Sequence, residues 1–278
     1  MSATKNLPYS ADQVRPWLFL GLTLGLTWAL EFLAAGIQHL VGDGMVLALR
    51  YLAGLTPIGI AAALTHLKGD RIFQRDFWIR LVDFRRIPPI WYLVIFGFVP
   101  LKAGLAAGAD LLLGGRGIAL ERASELIEQP ALILPTLVFW LLFGPLPEEP
   151  GWRGYALEGL QSRRGPLASS LIVGLIWALW HLPLFFIESS WQALEVGLLG
   201  SRFWLYMLNI LLDSFVYTWI YNHTGRSILA AVLFHFSVNA FGEAFALTPQ
   251  AEIFNFLLAL LAAGLISLSW RSSRSHPS

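Results

Sequence analysis

The sequence predicts an all-α, polytopic membrane protein, a bundle of about eight transmembrane helices with a kinked fourth span. Of its 278 residues, 56% are hydrophobic and only 13% are charged, whereas soluble domains carry about 25% charged residues. Such a chain has too few polar residues to cover a surface that faces water, so lipid is its expected solvent. The apolar residues also occur in long runs, and no stretch shows the alternation of a β-strand.

Eight apolar segments are long enough to form membrane helices, which need about 20 residues each. They run near 17–41, 45–67, 90–113, 131–160, 166–187, 203–222, 226–247 and 250–270. No internal repeat divides the chain, so one integral membrane domain over 1–278 is the simplest interpretation. The residues that could carry chemistry lie in its core at 131–247.

Basic residues set the predicted orientation, because cytoplasmic loops carry an excess of lysine and arginine. With the N-terminus inside, one face collects Lys5, Arg15, Lys68, Arg71, Arg75, Arg80, Arg85, Arg86, Arg163, Arg164, Arg226, Arg271 and Arg274. The other face has only Arg116, Arg122 and Arg202. This bias places both termini in the cytoplasm. The basic and aromatic loop 68–89 fits either an amphipathic segment on the cytoplasmic leaflet or a solvated loop.

Composition excludes several classes of function. The net charge of +1 gives no reason to expect a nucleic-acid partner. The chain has no cysteine, so disulfides, thiolate nucleophiles and cysteine metal ligands are excluded.

The fourth segment contains the stretch GPLPEEPGWRGYAL, in which Pro145, Pro147 and Pro150 surround two adjacent carboxylates. A proline in a helix interior removes an N–H donor and clashes with the preceding turn. The span should therefore kink or partly unwind near Glu148. Carbonyl groups freed at such depth must face protein or a water-filled cavity, which predicts water beside Glu148.

Glu149 and Arg153 lie four residues apart in the order that favours an ion pair on a helix. Their expected role is structural support of the kinked helix.

Further polar residues lie in later spans at helical spacing. Trp177 and His181 are four residues apart, as are His235 and Asn239, so each pair projects from one helix face. Glu148 precedes the turn near residue 165 by about as many residues as His181 follows it, which puts both roughly 25 Å from the turn. His235 follows the turn at Gly225 by ten residues, roughly 15 Å by the same rise. Glu148, His181 and His235 are expected to share a layer reached from the cytoplasmic side. Trp177 is expected to pack there in support.

This set permits hydrolysis of an amide bond by two routes. Glu148 could act as the general base on a water that His181 orients, with His235 and Asn239 donating hydrogen bonds to the oxyanion. Alternatively, Glu148, His181 and His235 could bind Zn²⁺, which would activate the water.

Three motifs carry a resemblance to a known family. EEPGWR fits the pattern E-E-x-x-x-R, WALWH resembles an aromatic residue followed four positions later by His, and HFSVN fits H-x-x-x-N. In this order and spacing the sequence resembles the CPBP family of type II CAAX prenyl endopeptidases and bacteriocin-processing or self-immunity proteins. Trp177 departs slightly from the usual Phe. The motifs cover 148–239, and the first three spans resemble the family only in hydropathy.

The resemblance implies an eight-helix intramembrane endopeptidase with a cavity open to the cytoplasmic side. It implies that Glu148, His181, His235 and Asn239 are catalytic, with Glu149 and Arg153 in support. The substrate would be a membrane-anchored peptide or protein, prenylated or not. The metal-free mechanism is preferred, because His235 is paired with an asparagine, a poor zinc ligand and a good oxyanion donor.

Two other functions compete. Glu and His chains also serve as proton relays in transporters, but the single Pro-rich break has no counterpart in the first half of the chain. A catalytically silent immunity protein would have the same fold, and the intact motif residues argue against it.

Overall fold

The computed structural model describes residues 8–272. Residues 1–7 and 273–278, which include Lys5 and Arg274 of the orientation argument, lie outside the described residues. The α-helices are α1 (Pro16–Ile37), α2 (Asp43–Gly54), α3 (Thr56–Lys68), α4 (Arg71–Val82), α5 (Pro89–Leu112), α6 (Glu121–Glu128), α7 (Ile133–Leu142), α8 (Pro145–Gly151), α9 (Glu158–Trp180), α10 (Ser201–His223), α11 (Ile228–Ala244) and α12 (Pro249–Ser272). Two short antiparallel strands, β1 (Ile118–Ala119) and β2 (Ala246–Leu247), pair at one end of the bundle.

Short 3₁₀ and π turns connect several of the helices. The 3₁₀ turns are Ala11–Gln13, Phe84–Arg86, Pro130–Leu132 and Leu182–Phe186, and the π-helical turns are Trp152–Leu157 and Gln192–Val196.

The described helices account for five stretches that are long and apolar enough to cross a membrane, or six if α2 and α3, which meet at 41°, form one bent span. One stretch, Pro130–Phe186, has 57 residues and would measure roughly 85 Å as a straight helix. It is broken at Gly165, where φ is 76° and ψ is 172°. α11 is apolar and has 17 residues. The all-α polytopic fold is confirmed, and the number of eight crossings stays a prediction.

The predicted kink of the fourth span is present. Phe143 (φ −111°, ψ 60°) and Gly144 (φ 160°, ψ −86°) leave helical geometry between α7 and α8. Pro145 then begins α8, where its missing N–H removes no helical hydrogen bond. Past Glu149, the chain widens into the π turn Trp152–Leu157. α8 is thus flanked by irregular backbone on both sides, so the direction in which its side chains point does not follow from that of α7.

A buried network of charges ties helices together at the end that carries most basic residues. Arg80 pairs with Asp76 (Nε–Oδ2, 2.9 Å) and with Glu158 (Nη1–Oε2, 3.5 Å). Arg226 pairs with Glu158 (Nη2–Oε1, 2.6 Å) and with Asp76 (Nη2–Oδ2, 3.0 Å). Tyr221 donates a hydrogen bond to Glu158. The network joins α4, α9 and α10 to the turn before α11.

The loop predicted over 68–89 contains helix α4. Asp70 caps this helix by accepting the backbone N–H of Phe73 at 2.9 Å, and this bond holds the pKa of the Asp70 carboxyl below its usual range. Phe73, Phe77 and Arg80 are fully buried against protein. A fully solvated loop is therefore contradicted at these three residues. Ile72, Val82 and Phe84 of the same segment are exposed, so its placement on the cytoplasmic leaflet stays a prediction.

α9 and α10 approach each other closely at Gly174. A Cβ at Gly174 would lie 2.8 Å from Ser214 Cβ and 2.9 Å from the Leu211 carbonyl oxygen. Small residues permit such contact between membrane helices. Nearby, Ser170 Oγ and Thr218 Oγ1 are hydrogen-bonded across the pair at 2.8 Å.

Gly174→Ala is expected to destabilise the bundle by about 1–3 kcal/mol, because the added methyl forces the two helices apart. The measurement is the Tm of the purified protein in detergent. Gly264→Ala on α12 is the matched control, because a Cβ at Gly264 meets nothing within 4 Å. An equal Tm for both variants would contradict the close approach.

Candidate active site

Four neighbouring elements supply the residues that the sequence singles out. Glu148 and Glu149 lie on α8, Arg153 on the π turn, Trp177 on α9, His181 directly after α9, and His235 and Asn239 on α11. His181 and Asn239 are half-buried, and the other five side chains are buried. The site is thus enclosed except where these two residues face accessible space.

Glu149 links three parts of the site. Arg153 Nη1 donates to both carboxylate oxygens of Glu149 at 2.9 Å, so the predicted ion pair exists. His235 Nδ1 also donates to Glu149 Oε1 at 2.8 Å. This second contact joins α8 to α11 and was not predicted. It fixes the tilt of the imidazole ring and assigns a hydrogen to Nδ1, since a carboxylate can only accept.

Arg153 is held between two aromatic rings. Its guanidinium carbon lies 4.3 Å from the Trp177 ring centroid and 3.9 Å from that of Tyr217. These distances permit cation–π attraction, which is strongest when water is excluded. Tyr217 also packs edge-on against His235, with centroids 5.9 Å apart. The rings and Glu149 thus confine the guanidinium on several sides.

Trp177 does more than pack. Its Nε1 donates to Glu148 Oε2 at 2.7 Å, and its carbonyl accepts a hydrogen bond from His181 Nδ1 at 2.9 Å. One residue of α9 therefore positions both the candidate base and the second histidine. The bond occupies one carboxylate oxygen of Glu148 and leaves Oε1 as the other acceptor.

Three functional atoms converge beside Gly144. A Cβ built on Gly144 would lie 3.0 Å from Asn239 Nδ2, 3.9 Å from Glu148 Oε1 and 3.9 Å from His235 Nε2. A carboxylate oxygen, an imidazole nitrogen and an amide nitrogen therefore surround a space that is open because residue 144 has no side chain. The predicted association of Glu148, His235 and Asn239 is present in this geometry.

His181 contacts the site through rings rather than through a hydrogen bond to Glu148. Its ring lies against Trp180 (centroids 4.8 Å apart), Tyr206 (5.8 Å) and Trp177 (6.0 Å). Because the Trp177 carbonyl accepts from Nδ1, the neutral ring carries its lone pair on Nε2. His181 is thus available to accept a hydrogen bond from a water molecule.

The three candidate zinc ligands, Glu148, His181 and His235, do not form a metal-sized group in the described residues. Among residues 8–272, no three His, Cys, Asp or Glu side chains stand close enough together to hold a metal ion. Nδ1 of each candidate histidine donates a hydrogen bond, to Glu149 or to the Trp177 carbonyl, and Nε2 of each is left as the possible metal-binding atom. The donor types therefore suit zinc, and the choice between the zinc-dependent and the metal-free mechanism stays a prediction.

Sequence reasoning missed two residues of the site. Tyr217 carries no motif signal, and only its position one turn from Asp213 on a polar stretch of α10 sets it apart. Gly144 begins the proline-rich stretch GPLPEEPGWRGYAL, but its position in the sequence does not indicate which side chains face it. Both residues matter through contacts with other helices, which spacing along one helix does not report.

The bundle and this cluster together define a class: a mostly helical membrane protein in which a buried carboxylate, a buried imidazole and a half-buried amide meet beside Gly144, the groups that a membrane-embedded peptidase uses. Residues 130–241 match the family described as type II CAAX prenyl endopeptidase Rce1-like. CAAX prenyl protease 2 of Methanococcus maripaludis is 30% identical over 262 residues, which is 92% of this chain and 95% of that protein.

The chain belongs to the Rce1-like family of type II CAAX prenyl endopeptidases. The resemblance seen in the three motifs is confirmed, and the matched region includes every residue of the site. Membership in this family supports intramembrane endopeptidase activity and counts against the alternative function of a proton-coupled transporter.

Gly144→Ala is expected to lower kcat for peptide cleavage by roughly tenfold or more. The added methyl would lie between the side-chain atoms of Glu148, His235 and Asn239, and small displacements of reacting groups slow a reaction strongly. The measurement is steady-state cleavage by purified protein, with Tm recorded alongside. Gly242→Ala, on α11 near Asn239, adds a methyl that meets nothing within 4 Å and serves as the control. Equal kcat in both variants would show that the space is not used.

Proposed function

We propose that the protein is a glutamic-type intramembrane endopeptidase. It hydrolyses a peptide bond near the C-terminus of a membrane-associated protein or peptide, prenylated or not, with a water molecule activated by Glu148. The single observation that carries the proposal is the convergence of Glu148 Oε1, His235 Nε2 and Asn239 Nδ2 beside Gly144. Amide hydrolysis needs a base and donors to the oxyanion: Glu148 supplies the base, Asn239 Nδ2 is a donor, and His235 Nε2 becomes a donor when its ring carries both protons.

The chemical step begins with Glu148. Its carboxylate takes a proton from water as the water oxygen attacks the scissile carbonyl carbon, and His181 Nε2 accepts the second water hydrogen to orient the attack. The carbonyl oxygen becomes an oxyanion. Asn239 Nδ2 donates to it, and so does His235 Nε2 when that ring carries both protons. Collapse breaks the C–N bond, and Glu148 returns its proton to the leaving amine nitrogen.

Glu149, Arg153 and Trp177 act as positioning residues in this mechanism. Glu149 faces the imidazole of His235 at 2.8 Å and is anchored by Arg153. Trp177 holds one oxygen of Glu148 at 2.7 Å. These bonds fix the base and the donor before substrate arrives, so little reorganisation is needed during the reaction.

The proposal includes a location and an architecture. Residues 1–278 act as one membrane protease domain with both termini in the cytoplasm and the site reached from that side. The bilayer and the membrane-anchored substrate are its partners, and nucleic acid is not. Contacts support grouping the basic residues at one end: Arg163 donates to the Val14 carbonyl at 3.2 Å and Arg86 to the Gly225 carbonyl at 3.0 Å.

A zinc-dependent version of the same protease remains the alternative mechanism. Its ligands would be Glu148, His181 and His235, which would have to move together on binding. A non-catalytic immunity protein would differ from both in showing no cleavage at all.

Glu148→Gln is expected to lower kcat by about 10²–10⁴, because the amide keeps the size of the side chain but cannot take the proton. The measurement is cleavage of a membrane-anchored peptide by purified protein in detergent or liposomes. Glu128→Gln, at an exposed position on α6, is the matched control. Wild-type turnover by Glu148→Gln would remove Glu148 from the role of base.

Removal of metal separates the two mechanisms. The metal-free mechanism predicts substoichiometric zinc in the purified protein and unchanged cleavage after treatment with a chelator. Zinc content by mass spectrometry and the cleavage rate before and after chelation are the measurements. Stoichiometric zinc, with activity lost on its removal and restored by its return, would establish the zinc-dependent version instead.

A further inference from the structure

Helix α4 lies across the end of the bundle that carries most basic residues. Asp70, which caps this helix, accepts a hydrogen bond at 2.8 Å from Gln13 Nε2, and Gln13 stands just before α1. Just past the other end of α4, Arg86 Nη1 donates to the carbonyl of Gly225 at 3.0 Å, in the turn that follows α10. Because α1 and α10 are both candidate membrane spans, these anchors place α4 near the level of the lipid headgroups.

One side of α4 is fixed to the bundle. Phe73, Phe77 and Arg80 are fully buried, and Arg80 Nη2 donates to the carbonyl of Gly154 on the π turn at 3.2 Å. These contacts determine which face of the helix turns away from the protein.

The face that turns away combines arginines with apolar side chains. We call it the outward stripe, which consists of Arg71, Ile72, Arg75, Val82, Phe84 and Arg85. All six residues are exposed, and the three apolar ones are between 56% and 69% exposed. The guanidinium carbon of Arg85 lies 5.9 Å from the ring centroid of Phe84. Exposed apolar side chains interleaved with basic ones are typical of a surface that rests on a membrane leaflet.

The positive charge of the outward stripe is not neutralised by the residues that the structure describes. None of its three arginines makes an ion pair within 4.0 Å in residues 8–272. The three carboxylates of this segment are engaged by other groups, namely Asp70 by Gln13, Asp76 by Arg80 and Arg226, and Asp83 by Arg86. The stripe therefore presents three cations and no anion to the surroundings, which complements a negatively charged lipid surface.

We propose that the outward stripe binds the headgroups of anionic phospholipids in the leaflet at this end of the bundle. Guanidinium groups donate paired hydrogen bonds to phosphate oxygens, and Ile72, Val82 and Phe84 enter the boundary between headgroups and acyl chains. Lipid binding at this surface requires no peptide cleavage, so its test is independent of the proposed function.

The test uses the absence of cysteine from the chain, because Val82→Cys then carries a single fluorophore on the outward stripe. The protein is reconstituted in phosphatidylcholine vesicles with a small fraction of nitroxide-bearing phosphatidylglycerol or nitroxide-bearing phosphatidylcholine, and quenching reports which lipid contacts the label. Phosphatidylglycerol is expected to associate about fivefold more strongly or better, since one basic side chain near an anionic surface contributes about this factor. Leu105→Cys is the matched label position and should show no preference, because it is exposed on α5 and roughly 24 Å from the end of α5 next to α4.

Charge variants decide whether the arginines carry this preference. Arg71→Gln, Arg75→Gln and Arg85→Gln combined are expected to abolish it, whereas lysine at the same three positions should keep most of it. Arg116→Gln, at an exposed loop position, controls for the loss of one charge elsewhere.

Salt provides a test that needs no arginine substitution, in case the glutamine variant fails to fold. In 1 M salt the Debye length is about 3 Å, so the preference of the protein with intact arginines should fall strongly. Equal quenching by the two lipids, or no quenching by either, overturns the proposal. A preference that survives the glutamine substitutions or the salt also overturns it, as does a folded lysine variant without any preference.

Discussion

The geometry of the site depends on one buried carboxylate, Glu149, and on the two side chains that donate hydrogen bonds to it. Arg153 and His235 both donate to Glu149, and all three side chains are buried. Removing one partner of such a group leaves a charge without compensation in the interior, which typically costs about 3–5 kcal/mol. Glu149 therefore joins the kinked fourth span to α11, and the position of His235 relative to α8 follows from that bond.

The bond can form only because the fourth span is interrupted. A continuous helix from α7 into α9 would fix the rotation of Glu148 and Glu149 by the packing of all its other residues. The irregular geometry at Phe143 and Gly144 and the π turn at Trp152–Leu157 remove that constraint. α8, only seven residues long, is then rotated so that its carboxylates face α9 and α11. The same interruption puts Gly144, without a side chain, beside the functional atoms.

Spacing along single helices predicted much of this arrangement. The helices, the kink near Glu148 and the Glu149–Arg153 pair depend on local chemistry, and the structure contains them. The Glu149–His235 bond joins residues 86 positions apart, and it depends on how each helix is rotated and bent against its neighbours, which packing decides. The burial of Arg80 could not be predicted for a related reason, because it depends on ion pairs with Asp76 on its own helix and with Glu158 on α9.

Two adjacent glutamates can hold different roles because neighbouring helical residues project about 100° apart. Glu149 points to Arg153 and His235, while Glu148 meets Trp177 Nε1 and the space beside Gly144. The arginine charge is thereby directed to the glutamate that supports the structure. The hydrogen bond that Glu148 accepts in the described residues comes from a neutral donor, Trp177 Nε1, through Oε2, so Oε1 is the oxygen that the proposed mechanism assigns to the proton of water. An arginine bonded to Glu148 would stabilise the carboxylate and weaken it as a base, so the proposed mechanism depends on the separation of the two side chains.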